Sequence, residues 1–515
     1  MALLEGLRWS FLIEYPLIIL LVMLKVALLI PLFAKWRFPL SHVPGPWLAR
    51  WSRLWLVRSL VSGKAAHEFV RLDLQYGPVI RTGPNHILIS DPETTRRILA
   101  VGSKYKRGPW FDALRLDPTR TNVISERDPK KHQDLRHVLG SGIAGKGVAN
   151  FESIMDDHIR GWIRMIDRKH VSTEDTTIAF DVSRSVPLLA IDLISHLCLG
   201  ESFGCVETER DQHEFLFHIR TGMIVQQVMS IYLEIKTILH SLAKIPFLRQ
   251  WITLFPAPSH RQGIGRVLRI IQLAVEKRQR EQDKQIYRGD MLDSFLERGL
   301  DVDQSLTELC VVLASNTDNA SSAIQGILFG IVTHPSVYIN LQKEVDSVAT
   351  VGDIAFPISD TDARKLPYLQ ACISEGLRRY PPEMQLRERV VPPQGDAICG
   401  YHIPGGTYVG FNALATQCNT IYGKDFEEFR PARWLIEDEE RLRQMHKTLE
   451  LVFSYGTAKC LGYTMAYMEM NKVVFEIFRH FDISLSNPLS PWKRRSRGSF
   501  VQSEFCIRVQ RRHKS

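Results

Sequence analysis

The segment Phe453-Ser-Tyr-Gly456-Thr-Ala-Lys459-Cys460-Leu-Gly462 leads directly into an amphipathic helical pattern from Tyr463 to Phe481. One cysteine stands where a glycine-rich loop meets a helix N-terminus. Free backbone N–H groups and the positive end of the helix dipole both favour an anionic sulfur there. The sequence therefore predicts a depressed pKa for Cys460 and a thiolate able to ligate a metal. Gly456 and Gly462 lack the Cβ that would hold the backbone away from a flat macrocycle. A lone cysteine is most often a small buried hydrophobe; the spacing from Phe453 and the two glycines sets this one apart.

Two further groups carry charge or hydroxyls in suggestive places. Glu375 and Arg378, at i and i+3, share a helix face that Pro381-Pro382 terminates, and Phe429-Arg-Pro-Ala-Arg433-Trp434 offers a third charge. Alone, Glu375 and Arg378 read as a commonplace surface pair; with Arg433 they predict a buried knot whose members satisfy one another's hydrogen bonds. A long apolar helix is predicted from Ser305 to Thr333, opened by a capping box of Ser305 with Glu308. In its middle, Ser315-Asn316-Thr317-Asp318-Asn319 gathers poor helix formers, which predicts a polar kink suited to water, protons or a ligand rather than a merely solvated stretch.

These groups must be held by a large scaffold. The 515 residues, 45% hydrophobic and 23% charged, supply ample core and exclude collagen-like and disordered classes. Eight cysteines without close pairs indicate neither a disulfide framework nor a zinc ribbon, and suit a reducing compartment. A formal charge of +9 without a basic run interleaved with aromatics points to a docking or membrane-facing surface rather than to nucleic acid. Pro16 to Ala34 is apolar apart from Lys25 and long enough to span a bilayer. Lys35, Arg37, Arg50, Arg53 and Arg58 follow it, which predicts a single-pass anchor with the bulk of the chain cytosolic. Residues 1–40 thus read as anchor and proline-rich elbow, and 41–515 as one catalytic domain, mainly α with small β-sheets. Predicted helices cover 151–168, 183–200, 263–280, 305–333, 335–348, 368–380 and 463–481, with strand material near 79–89 and 399–409.

Together, F-x-x-G-x-x-x-C-x-G, E-x-x-R and F-R-P-x-R-W resemble the cytochrome P450 superfamily of haem-thiolate monooxygenases, over the chain from the elbow to the C-terminus. Lys365-Leu-Pro-Tyr-Leu-Gln-Ala-Cys372 and Asn487-Pro-Leu-Ser-Pro-Trp492 resemble the fungal subgroup that includes pisatin demethylase. The resemblance implies a cytochrome P450 fold and haem b, with Cys460 as axial iron ligand within the loop Phe453, Gly456, Lys459 and Gly462. It implies that Glu375, Arg378 and Arg433 form a structural triad, and that His132, Arg136 and Arg389 meet the haem propionates. The implied partners are O2, an NADPH-dependent reductase attracted by Lys130, Lys131, Arg136 and Lys459, an apolar small-molecule substrate and the endoplasmic reticulum membrane, in fungal secondary metabolism.

Two departures stand out. The arginine usual just before the cysteine is replaced, leaving Lys459 as the charge there. The helix motif A-G-x-D-T reads Ala314-Ser-Asn-Thr317-Asp318, so the acid and alcohol of the proton relay have changed places. Three outcomes follow from the resemblance: oxygen insertion with Thr317 and Asp318 as relay, an oxidative rearrangement such as ring expansion, desaturation or isomerisation, or haem binding without turnover.

Overall fold

Apolar residues at helical spacing, bounded by capping side chains, produce the long helices that carry the core. A computed structural model describes residues 39–512 except 118–119, 243–244, 246–258, 260–263, 283, 285 and 351–354. The principal helices are α1 (Leu54–Ser62), α2 (Ala65–Tyr76), α3 (Pro129–Ile143), α4 (Phe151–Lys169), α5 (Val182–Leu199), α6 (Phe215–Ile231), α7 (Ile264–Gln282), α8 (Val302–Val332), α9 (Pro335–Thr350), α10 (Pro367–Arg379) and α11 (Tyr463–His480). The predicted span at 16–34 lies outside the described residues. The elbow that follows is pinned to the domain: Arg81 N donates to Pro44 O at 2.7 Å, and the Arg81 guanidinium donates to Val43 O at 3.1 Å.

α8 is the central element. It packs on α5, α7, α10 and α11, and nearly all of its residues are buried. α5 is long and apolar enough to cross a membrane, but 89% of it is buried inside the fold, so it is a core helix. One expectation for α8 is corrected. The N-cap is Asp301, whose side chain accepts from Gln304 N. Ser305 lies a turn inside and donates back to Asp301 O at 2.9 Å, while buried Glu308 accepts from Val123 N at 3.0 Å. The helix is continuous through residues 315–319, where the Thr317 hydroxyl donates to Leu313 O at 2.8 Å. Back-bonding of this kind satisfies the hydroxyl and commonly bends a helix without ending it.

A five-stranded sheet combines β1 (Val79–Gly83), β2 (His86–Ile89), β3 (Lys106–Arg107), β4 (Arg389–Val390) and β5 (Tyr408–Phe411) in the order β1-β2-β5-β4-β3. β2 and β5 run parallel; the other pairs are antiparallel. The register places Arg107 directly opposite Arg389. A hairpin of β6 (Lys493–Arg497) and β7 (Ser499–Ser503) packs its second strand against α8.

Candidate active site

The cysteine loop is held from both ends. Cys460 N donates to Phe453 O at 2.8 Å, and the Phe453 ring meets Tyr463 edge-on with centroids 4.9 Å apart, fastening the loop to the first turn of α11. Gly456 has φ 59°, and a Cβ there would lie 2.1 Å from Leu99 O. A neighbouring backbone therefore requires glycine there. A Cβ at Gly462 would meet Cys460 Sγ at 3.9 Å, an ordinary contact with the protein. Cys460 has accessible surface although protein surrounds it at wider radius, as for a side chain facing an interior space. The expected depressed pKa is not found. Burial pushes the thiol up and outweighs the Gly462 N–H, Arg136 and Arg387, which favour the thiolate, while Glu383 opposes it. A bound cation offsets desolvation of this kind.

Beside this loop lies a cluster of cations facing neutral partners. Arg136 Nη2 donates to Lys459 O at 2.6 Å, which ties α3 to the residue before the cysteine. The Lys459 ammonium itself lies 4.9 Å from the Tyr463 ring centroid. One turn before Arg136 on α3, buried His132 accepts at Nε2 from Arg107 Nη1 at 2.7 Å. Burial and the charges of Arg107, Arg136 and Arg389 push this imidazole down to about 3, so it is neutral. Arg107 also donates to Ile124 O, but its buried Nε has no partner among the described residues. Burial and Arg136 push Arg107 down to about 9, against a weaker pull from Glu126. Arg389 donates to Arg387 O at 2.9 Å, and burial with Arg107 and Arg387 lowers it well below the usual range.

Like charges set opposite each other on paired strands are destabilising, and a buried guanidinium without a carboxylate is more so. The cluster therefore fits an anion with two negative groups next to the Cys460 sulfur, as the propionate-bearing haem provides. Arg107 was not singled out from the sequence. Only the cross-strand register brings it to Arg389.

On α8, Ala314, Ser315 and Asn319 are half-buried in an otherwise buried stretch, and Asp318 is buried. Thr317 is 1% exposed and its hydroxyl is spent on Leu313 O. Asp318 Oδ1 instead accepts from Arg220 Nε on α6 at 3.1 Å. Burial raises the Asp318 pKa while the Arg220 charge and hydrogen bond oppose it. Arg220 also went unrecognised in the sequence, although an arginine inside the apolar run Phe215–Ile231 signals an inward polar contact.

The predicted triad is assembled as a fully buried knot. Arg378 donates through Nε and Nη2 to the two oxygens of Glu375 at 2.9 and 2.8 Å, and Arg433 Nε donates to Oε1 at 2.9 Å. Trp434 Nε1 adds a bond to Oε2 at 2.9 Å. The arginines' remaining donors reach main-chain carbonyls of Gln417, Tyr422, Asp425, Phe426 and Glu428. Burial pushes Glu375 up, but Arg378 and Arg433 outweigh it and hold the carboxylate charged.

Comparison with known proteins agrees with this arrangement. The family model "Cytochrome P450" matches residues 42–508. Cytochrome P450 monooxygenase ABA1 of Pyricularia oryzae is 33% identical over 482 residues, 92% of this chain and 93% of the relative. Cytochrome P450 monooxygenase abl1 of Leptosphaeria maculans is 33% identical over 463 residues, 88% of this chain and 79% of the relative. Cytochrome P450 monooxygenase aba1 of Botryotinia fuckeliana is 31% identical over 477 residues, 92% of each. With a matched region that takes in the cysteine loop, the triad and the cation cluster, the chain belongs to the cytochrome P450 family, as a haem-thiolate monooxygenase that uses O2 and reductase-supplied electrons from NADPH to oxidise a small molecule.

Proposed function

We propose that Cys460 is the axial ligand, that Arg107, Arg136 and Arg389 neutralise the propionates, and that Asp318 is the proton-handling group of the distal side. The observation that carries this reading is the unneutralised arginine cluster joined to the cysteine loop through the Arg136 to Lys459 hydrogen bond. Haem, when bound, supplies dioxygen activation and oxygen transfer. The chain's part is to orient the sulfur through the Phe453 carbonyl, hold His132 neutral as an acceptor for Arg107, and keep a carboxylate within the cavity. Thr317 is no proton donor in this reading, since its hydrogen is committed to Leu313 O. Arg220 is the positioning partner of Asp318.

Residues 1–40 act as a single-pass anchor in the endoplasmic reticulum and 41–515 as the cytosolic catalytic domain. Exposed Trp47, Trp51 and Leu54, next to the anchor, support membrane contact. Arg53, beside them, bonds Ile231 O and Glu234 at 2.7 Å each. Tryptophans rimmed by arginines suit the interfacial zone. The reductase docks at exposed Lys130 and Lys131 on α3, and the substrate is a largely apolar secondary metabolite. Replacing Cys460 by Ala is expected to abolish the thiolate-type carbon monoxide difference band of the reconstituted enzyme; a variant that keeps the band overturns the ligand assignment.

A further inference from the structure

Glu308 does not cap α8, yet its side chain is fully buried. Both of its oxygens accept from one backbone donor, Val123 N, at 3.0 and 3.1 Å, and Oε1 also accepts from Gln304 Nε2 at 2.7 Å. Burial pushes its pKa up to about 7, against the Val123 N–H and the Gln304 amide, which favour the carboxylate. An apolar side chain in this place would leave Val123 N without an acceptor, so the carboxyl serves that backbone.

What Glu308 holds is a turn outside the helices and strands. Gln304 reaches the same turn, donating to Thr121 O at 2.7 Å. Asn122 shapes it from within, accepting from Ile124 N and Ser125 N at 3.0 and 2.8 Å and donating to Leu114 O at 2.9 Å. Arg120 adds an outer pair with Asp301 at 2.8 Å, but both partners reach solvent, where such pairs contribute little. Beyond Val123, the Ile124 carbonyl accepts from Arg107, which also donates to His132 Nε2 at 2.7 Å. The dipeptide Val123-Ile124 is thus held by α8 at its nitrogen and holds Arg107 at its carbonyl.

We propose that Glu308 is a positioning residue for the haem: it fixes the 121–124 turn so that Ile124 O aims the Arg107 guanidinium at a propionate. Among the described residues the Arg107 side chain has two acceptors, Ile124 O and His132, and both are neutral, so neither competes with a propionate for its charge. Releasing one of them lets the guanidinium swing. The inference rests on the reading of Arg107 as a propionate partner. A cation there favours ferrous haem, because reduction adds one negative charge. Loosening Arg107 therefore lowers the reduction potential, whereas removing a carboxylate charge from the same region raises it.

The test is a spectroelectrochemical titration of the haem-loaded enzyme, which reads the ferric–ferrous equilibrium. Glu308→Ala is expected to shift it about fivefold towards ferric, a fall of about 40 mV at roughly 59 mV per tenfold for one electron. Glu308→Gln, whose amide oxygen still accepts from Val123 N, stays within about twofold of the unsubstituted enzyme. In an Arg107→Ala background, itself lower in potential, Glu308→Ala adds less than about twofold. An unshifted or raised potential in Glu308→Ala, a Glu308→Gln variant that falls as far, or a full shift in the Arg107→Ala background would each overturn the inference. Should Glu308→Ala lose haem, Gln304→Ala decides: a shift of about threefold towards ferric that vanishes with Arg107→Ala is expected, and its absence overturns the role of the turn. An Arg107→Ala variant of unchanged potential sinks the propionate reading and the inference together, whereas a lowered one beside an unmoved Glu308→Ala sinks the role of Glu308 alone.

Discussion

Thr317 and Asp318 are one residue apart on α8, and a helix turns by about 100° between neighbours, so exchanging their identities changes the direction in which each group points. The outcome is visible in their hydrogen bonds. Thr317 turns back to Leu313 O, while Asp318 reaches across to Arg220. Asp318→Asn is therefore expected to lower the titre of oxidised metabolite, per unit of haem, by roughly 100-fold or more, the scale of a lost acid–base group. Thr317→Val should change it by about twofold at most, as the loss of one local hydrogen bond implies. The measurement is metabolite yield from a host carrying each variant, normalised to the carbon monoxide band. A Thr317→Val variant that loses as much as Asp318→Asn would restore the hydroxyl to the relay.

The E-x-x-R spacing on α10 became a core assembly because α10 presents Glu375 to Arg433 and Trp434, which follow a proline that begins a short turn, Pro431–Trp434. Every strong donor of the two arginines ends on the Glu375 carboxylate or a main-chain carbonyl. Removing one partner leaves a buried charge uncompensated, a cost of about 3–5 kcal/mol. Glu375→Gln and Arg433→Ala are accordingly expected to lower the thermal midpoint and haem content together, whereas Asp318→Asn, whose partner Arg220 is partly exposed, lowers the midpoint less and leaves haem content unchanged. Differential scanning calorimetry with haem quantification separates the two behaviours. At the same scale, α3 and the β3–β4 pair meet only in three dimensions: His132 and Arg136 come from one, Arg107 and Arg389 from the other. The family motif pointed to three of the four, and Arg107 escaped because strand register is decided by pairing partners far away in sequence.

Across the whole molecule, burial sets carboxyl groups against solvent pH. Glu469 on α11, with Asn316 of α8 opposing, is pushed from the usual 4.5 to about 8, and Glu388 likewise to about 8. In the folded protein each carboxyl keeps its proton up to about pH 8, whereas the unfolded chain releases it near 4.5. Between these values the folded state binds more protons, so their stabilising contribution is complete below 4.5 and falls as pH rises towards 8. Glu469→Gln should flatten the fall in stability by about 1.4 kcal/mol per pH unit within that window. Denaturant titrations at several pH values check this, and an infrared protonated-carboxyl band that titrates near pH 8 and weakens in the variant identifies the group.

What the sequence by itself determined was local and covalently spaced. The cysteine loop and following helix, the helical core, the Glu375 and Arg378 pair and the order of Thr317 and Asp318 all depend on residues within a few turns of one another. The tertiary structure decided the rest. It set Gly456 against the Leu99 carbonyl, made Asp301 the cap of α8, and brought Arg107 to His132 and Arg220 to Asp318. These depend on what stands across a gap from each group, and electrostatics and packing at such contacts act through space between segments tens to hundreds of residues apart, which neither spacing nor periodicity encodes.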